Sequence, residues 1–278
     1  MKINFTIICA AALLFYGCKN SKKEVANADW PKYGGNNSGN RYSPLDQINK
    51  DNVKNLKVAW IYDTGDNKDS TQRGPGMQCQ PIMIHGVMYG VSPKLKAFAV
   101  DAKTGKELWR FDPYVNIEPD YHPVRGVTYW ENGNDKRIIY GAGAFIYELD
   151  AATGKLKEGF GDHGKVDLYT GLQEGLDHDV HQQVVTLTTP GVVYKNTYII
   201  GTMATESGDA ARGPVRAFDV LTGKLKWVFH TIPFPGEYGY ETWSPEAYKY
   251  MGGANNWSGL TLDEKRGTVY TGTGSGSV

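Results

Sequence analysis

The chain is poor in cysteine and carries no excess charge of either sign. Its 278 residues hold three cysteines, Cys9, Cys18 and Cys79, and 30 basic residues cancel 30 acidic ones. Neutrality leaves no basic field to draw nucleic acid, which argues against that class of partner. Helical periodicity is nearly absent, and no apolar run approaches the ~20 residues that a membrane-spanning helix needs. There is no Gly-x-Ser-x-Gly elbow, no phosphate loop, and no Gly-x-Gly-x-x-Gly after a strand opening a helix. Nucleotide and nicotinamide chemistry is therefore disfavoured. His178-Asp-Val-His181 holds two imidazoles three residues apart, but a shared zinc would need a helix there, and the pattern offers none.

What is present begins with a short apolar stretch. Ile7 to Tyr16 follows Lys2 and ends at Gly17-Cys18, after which the chain turns polar. That length suits a signal-peptide core, and Gly-Cys at its end resembles a bacterial lipoprotein processing site. The expectation is a signal peptide over 1–17, lipidation at Cys18, a tether over 18–28, and a lipid-anchored protein on the periplasmic side of a bacterial membrane. Cys9 would leave with the signal peptide, so Cys79 has no partner for a disulfide.

The strongest pattern is a unit used three times. Asp101-Ala-Lys-Thr-Gly-Lys-Glu-Leu-Trp109, Asp150-Ala-Ala-Thr-Gly-Lys-Leu-Lys-Glu158 and Asp219-Val-Leu-Thr-Gly-Lys-Leu-Lys-Trp227 begin 49 and 69 residues apart. Each follows a hydrophobic run. Asp can bond the turn backbone, Gly supplies positive φ, and Trp starts the next strand with a large apolar ring. Glu158 stands where the other copies have Trp, so one docking contact must be weaker or differently made. A blade-sized period predicts an all-β fold, a β-propeller, with Trp60 marking an earlier unit and Asp263 to Gly267 the hairpin of a later one. Strands are expected at Leu56 to Tyr62, within Gln80 to Val91 around a His85-Gly86 turn, and at Val127 to Trp130, Arg137 to Tyr140 and Phe145 to Leu149. Val184 to Thr188, Val192-Val193, Tyr198 to Gly201 and Val215 to Phe218 continue the series. Asp29 to Asn55 reads as an ordered wrap, and Phe234 to Ala254 as a long insertion over one face.

Among polar residues near these strands, Arg125, Glu206, Arg212 and Asn256 stand out beside Trp257, whose small neighbours leave its ring open to a flat ligand. Packing between blades is the alternative use of that Trp. The segments Asp29 to Ile48, Asn55 to Trp60, Arg125 to Trp130, Ala204 to Gly208 and Asn255 to Gly259 resemble the pyrroloquinoline-quinone (PQQ) dehydrogenases, and within them the glucose or sugar branch. The resemblance implies an eight-bladed propeller of which 29–278 is the first, incomplete part, inactive by itself, with the catalytic Asp expected beyond Val278. It implies oxidation of a glucose-like aldose to a lactone, or of an alcohol, with electrons passing to a membrane quinone or a cytochrome.

Carried over by position, Trp257 resembles the floor beneath the quinone, Arg125 a partner of a cofactor carboxylate, and Thr188 a hydroxyl bonding the same cofactor. Glu206 resembles a carboxylate on the Ca²⁺ that holds the quinone. Glu118 to Val124 replaces the adjacent cysteine pair of the alcohol-oxidising members, which favours the sugar branch and makes His122 a candidate contact, although a His in such a loop is more often exposed. Gln78 stands near a cofactor-binding Glu of relatives. Ser275 replaces an Asn metal ligand, leaving the ion's identity open. A non-catalytic propeller lipoprotein of the outer-membrane assembly type would share the repeats and the anchor, but not the Arg125, Glu206 and Trp257 pattern.

Overall fold

The computed structural model describes residues 28–66, 76–115, 117, 119–205 and 207–277. The strands are β1 (Ile82–Ile84), β2 (Val87–Val91), β3 (Ala97–Asp101), β4 (Glu107–Phe111), β5 (Thr128–Asn132), β6 (Asp135–Ala142), β7 (Phe145–Asp150) and β8 (Lys165–Asp167). They continue as β9 (Val185–Thr186), β10 (Val192–Tyr194), β11 (Thr197–Ile200), β12 (Met203–Ala204), β13 (Val215–Asp219) and β14 (Leu225–Phe229). The last four are β15 (Gly252–Gly253), β16 (Leu260–Asp263), β17 (Thr268–Thr271) and β18 (Gly276–Ser277). Three antiparallel meanders result, β1-β2-β3-β4, β5-β6-β7-β8 and β10-β11-β13-β14, followed by the hairpin β16-β17. This is an all-β fold of small antiparallel sheets, consistent with part of a propeller-type domain. Among the described residues, no helix is long and apolar enough to cross a membrane.

Alternation along each strand builds the core between sheets rather than within one. On β6, Ile138 and Tyr140 pack toward the first sheet with Tyr89, Ala99 and Trp109. Ile139, between them, packs toward the third sheet with Tyr198 and Phe218. Val215 and Ala217 then face Leu262 of the hairpin. A period of two thus lets one sheet serve two interfaces.

The repeated turn is one structure. Asp101, Asp150 and Asp219 each accept from the backbone two and three residues on and from the Thr hydroxyl, at 2.7 to 3.2 Å. Gly105, Gly154 and Gly223 follow at φ 71°, 69° and 70°. In the first and third copies a register shift falls just before the Trp, between Ala99 and Val100 and between Ala217 and Phe218. The bulge re-aims the Trp along its strand. Trp109 Nε1 donates to Ala151 O at 2.9 Å, and a Cβ placed on Gly154 would lie 2.5 Å from its ring. Trp60 repeats the arrangement on Ala102 O at 3.2 Å and Gly105 at 2.6 Å. At the Glu158 copy the contact is made differently: Gly161 N–H donates to Thr222 O at 2.9 Å, and Val166 covers Gly223.

Several expectations need correction. Leu56 to Tyr62 is not a strand, because no described segment pairs with its backbone. Of Val184 to Thr188 only β9 is regular. The middle copy does not run straight into a fourth strand; a loop carries the chain on to β8, which sequence reasoning missed. The Asp263 to Gly267 hairpin forms as expected, joining β16 to β17, with Asp263 accepting from Lys265 and Arg266 N–H.

Candidate functional site

The segment before β5 is extended and tied on both sides. Gln80 N–H donates to Arg125 O at 2.9 Å, and Arg125 N–H donates to Thr188 O at 2.8 Å. Arg125 is thereby held between the chain entering β1 and the chain leaving β9. Its guanidinium lies 5.4 Å from the centre of the Trp257 ring, and Nη1 reaches Thr189 Oγ1 at 3.4 Å. Thr189 and Thr188 are buried and donate to Trp257 O, at 2.6 and 3.4 Å.

Trp257 is positioned by a polar pin beneath it. The buried Asn256 amide donates to Gly259 O at 2.9 Å, to Gly272 O at 2.8 Å and to Thr271 Oγ1, closing the turn on β17. Gly259 has φ +103° and a Cβ there would stand 2.8 Å from Thr189, so glycine is required. Trp257 stays 42% exposed, with the Arg125 guanidinium over its ring. Met203, Ala204, Thr205, Ser207 and Trp257 line an open hollow of about 580 Å³.

Arg125, Thr188 and Trp257 are therefore brought together. Glu206 lies outside the described residues, between two that line the hollow; Cys18 is also outside them. Gln78 is exposed and stands two residues before Gln80, the residue that bonds Arg125. Ser275 is exposed, its carbonyl accepting from Ala254 N–H at 2.8 Å.

His122 departs from the exposed loop residue that its Pro-flanked setting suggested. It is 7% exposed with Nε2 buried and unpartnered, and burial lowers its pKa. Arg212 serves packing: it donates to Glu174 O at 2.6 Å and Gly175 O at 3.3 Å, lies over Phe234, and burial lowers its pKa. His178 and His181 do not converge, since His178 bonds Asp177 while His181 bonds Asp179 and Asp167. Thr189, with the shortest bond to Trp257, was missed by sequence reasoning. Its only signal is the pair Thr188-Thr189 ahead of Pro190, which does not say which hydroxyl points inward.

A partly exposed indole with a guanidinium over its ring and two hydroxyls on its backbone carbonyl, set on small antiparallel four-stranded meanders, fits part of a propeller-type protein. A family profile described as the PQQ glucose/ethanol/alcohol dehydrogenase β-propeller domain matches residues 30–278. The chain belongs to this family of PQQ-dependent quinoprotein dehydrogenases. It is 34% identical to quinoprotein glucose dehydrogenase A of Acinetobacter calcoaceticus, with 91% of this chain and 34% of the relative aligned. It is 37% identical to the dehydrogenase subunit of the quinone alcohol dehydrogenase of Gluconobacter oxydans, over 90% of this chain and 33% of that one. A quinohemoprotein alcohol dehydrogenase structure from Pseudomonas putida superposes with TM-score 0.71 at 30% identity, covering 90% of this chain and 35% of that one. The chain thus spans about a third of the length of these relatives.

Proposed function

We propose that the whole protein is a periplasmic, lipid-anchored dehydrogenase that binds PQQ over Trp257 and oxidises a sugar, with electrons leaving to a membrane quinone or a cytochrome. The observation that carries this reading is the Arg125 guanidinium over the partly exposed Trp257 ring, with the Thr188 and Thr189 hydroxyls holding that residue's carbonyl. The donor set fits the group: a flat heteroaromatic tricarboxylate wants an aromatic face and a planar cation at its rim. When bound, PQQ supplies the two-electron acceptor chemistry. Trp257 would support the plane, Arg125 would fork onto a carboxylate, and the Thr188-Thr189 pair would fix Trp257 from below. Because the guanidinium now lies over the indole, stacking requires it to swing toward the ligand's edge. Glu206, between Thr205 and Ser207 of the hollow, is the proposed Ca²⁺ ligand, and His122 and Gln78 are the proposed outer contacts. The sugar branch is favoured by Glu118 to Val124 in place of a cysteine pair.

In the intact protein, Trp257→Ala is expected to weaken PQQ binding about tenfold, since stacking is worth on the order of 1 kcal/mol and water would enter the gap. Glu206→Gln removes ligand charge but keeps shape, so raising Ca²⁺ should restore much of its affinity. Fluorescence titration of PQQ at low and high Ca²⁺ reads both. Wild-type affinity in both variants would return these residues to packing roles. For the anchor, the mature protein is expected to begin at a lipidated Cys18 and to move into the detergent phase. Mass spectrometry finding an unmodified N-terminus beyond Cys18 would remove the anchor and leave the enzyme reading standing.

A further inference from the structure

We propose a second ligand site, for a small oxyanion or carboxylate, in the cavity between the N-terminal segment 32–41 and the inner strands. The cavity holds about 390 Å³, and its far wall is formed where the chain enters β5, β10 and β16 and leaves β17. That volume is within the range of small-molecule sites. Thr189 belongs to its wall but Arg125 and Trp257 do not, so it is separate from the hollow over the indole.

Its charge is one-sided. Lys32 and Arg41 line it, and no Asp or Glu does among the described residues. Burial lowers the Lys32 pKa, against a weaker pull from Glu264 and Glu131. Those carboxylates are also engaged elsewhere, Glu264 by Asn37 at 2.5 Å and Glu131 by Tyr129 at 2.8 Å, and the Lys32 ammonium makes no hydrogen bond or ion pair with a described residue. Arg41, at the mouth, is held by a neutral amide, Gln80 Oε1 at 2.9 Å, and lies over the Tyr33 ring at 5.0 Å. Lys32 also borders a neighbouring hollow with Asp29, Glu131 and Glu264, but no carboxylate among the described residues pairs with its ammonium, so its charge is only partly compensated and an anion between the two cations would add to that compensation.

The hydroxyls point the same way. Thr128 and Thr189 give theirs to Gly191 O and Trp257 O, whereas Ser258, Thr261 and Tyr270 donate to no described residue and remain available. Cations and free hydroxyl donors facing one cavity suit an anion better than a metal ion or a neutral polyol.

Calorimetric titration of the intact protein at fixed ionic strength, with sodium phosphate, sulfate and acetate as probes and glycerol as the neutral control, tests the site. At least one anion should bind saturably and glycerol should not. Lys32→Gln and Arg41→Gln should each weaken that binding about tenfold, while Lys32→Arg retains it. PQQ affinity should be the same in all three variants, which keeps this result distinct from the cofactor reading. Absence of saturable anion binding, equal binding of glycerol, or full affinity in Lys32→Gln with a native melting profile would each overturn the proposal.

Discussion

Gly154→Val is expected to cost about 3 to 5 kcal/mol, a large share of the roughly 5 to 15 kcal/mol that holds a domain folded. Two effects add. At φ +69° a β-branched residue sits in the left-handed region, and its Cβ would stand 2.5 Å from the Trp109 ring, itself only 8% exposed. The ring cannot retreat without losing its bond to Ala151 O. Gly133→Val separates the two effects, since Gly133 has φ +59° with nothing within 4 Å of its added Cβ. It should show only the backbone strain, about 1 to 2 kcal/mol. Denaturant midpoints for the two variants decide the matter: equal losses would mean that Trp109 does not lock the first sheet to the second.

The second large effect is a pH dependence centred on Glu148. This carboxyl is 0% exposed, with Oε2 accepting from Arg137 Nη1 at 2.9 Å and Oε1 buried without a partner. Desolvation pushes its pKa from 4.5 to about 8. The same guanidinium is pulled toward Asp135 at 2.6 Å and also gives Nη1 to Val220 O at 3.1 Å. It therefore offsets only part of the burial cost. Between pH 4.5 and 8 the folded state holds a proton that the unfolded chain has released. Stability should then fall as pH rises through that window, by up to about 1.4 kcal/mol per unit. Glu148→Gln keeps an acceptor for Arg137 and removes the ionisation, so it should flatten the slope and gain on the wild type toward pH 8. Parallel stability profiles for the two proteins would show that Glu148 stays ionised against Arg137.

The turns were legible because Asp, Thr and Gly at fixed offsets perform local chemistry that needs no partner sheet. The strands before them were legible for the same reason, since alternation is local. Leu56 to Tyr62 misled because apolar, β-branched content marks a strand only where another backbone accepts its hydrogen bonds. β8 was hidden because Gly161 and Val166 do the work of a Trp from a different place in the chain. At the site, Arg125 and Trp257 carried recognisable neighbours, whereas Thr189 depends on which of two adjacent hydroxyls faces inward. His122 was misjudged because its burial comes from packing that the loop's own composition does not encode.

The tryptophan contacts also fix an order in time. Trp60 meets Gly105 and Trp109 meets Gly154, in both cases a residue 45 positions further along. Each lock therefore reaches forward, and its acceptor is the tight turn after the third strand of the sheet that follows. A chain emerging N-terminus first, from a ribosome or a translocation pore, cannot fasten a sheet until most of the next has come through. Until then Trp109 and its neighbours remain bare to solvent, so each successive sheet acts as the shelter of the one before it.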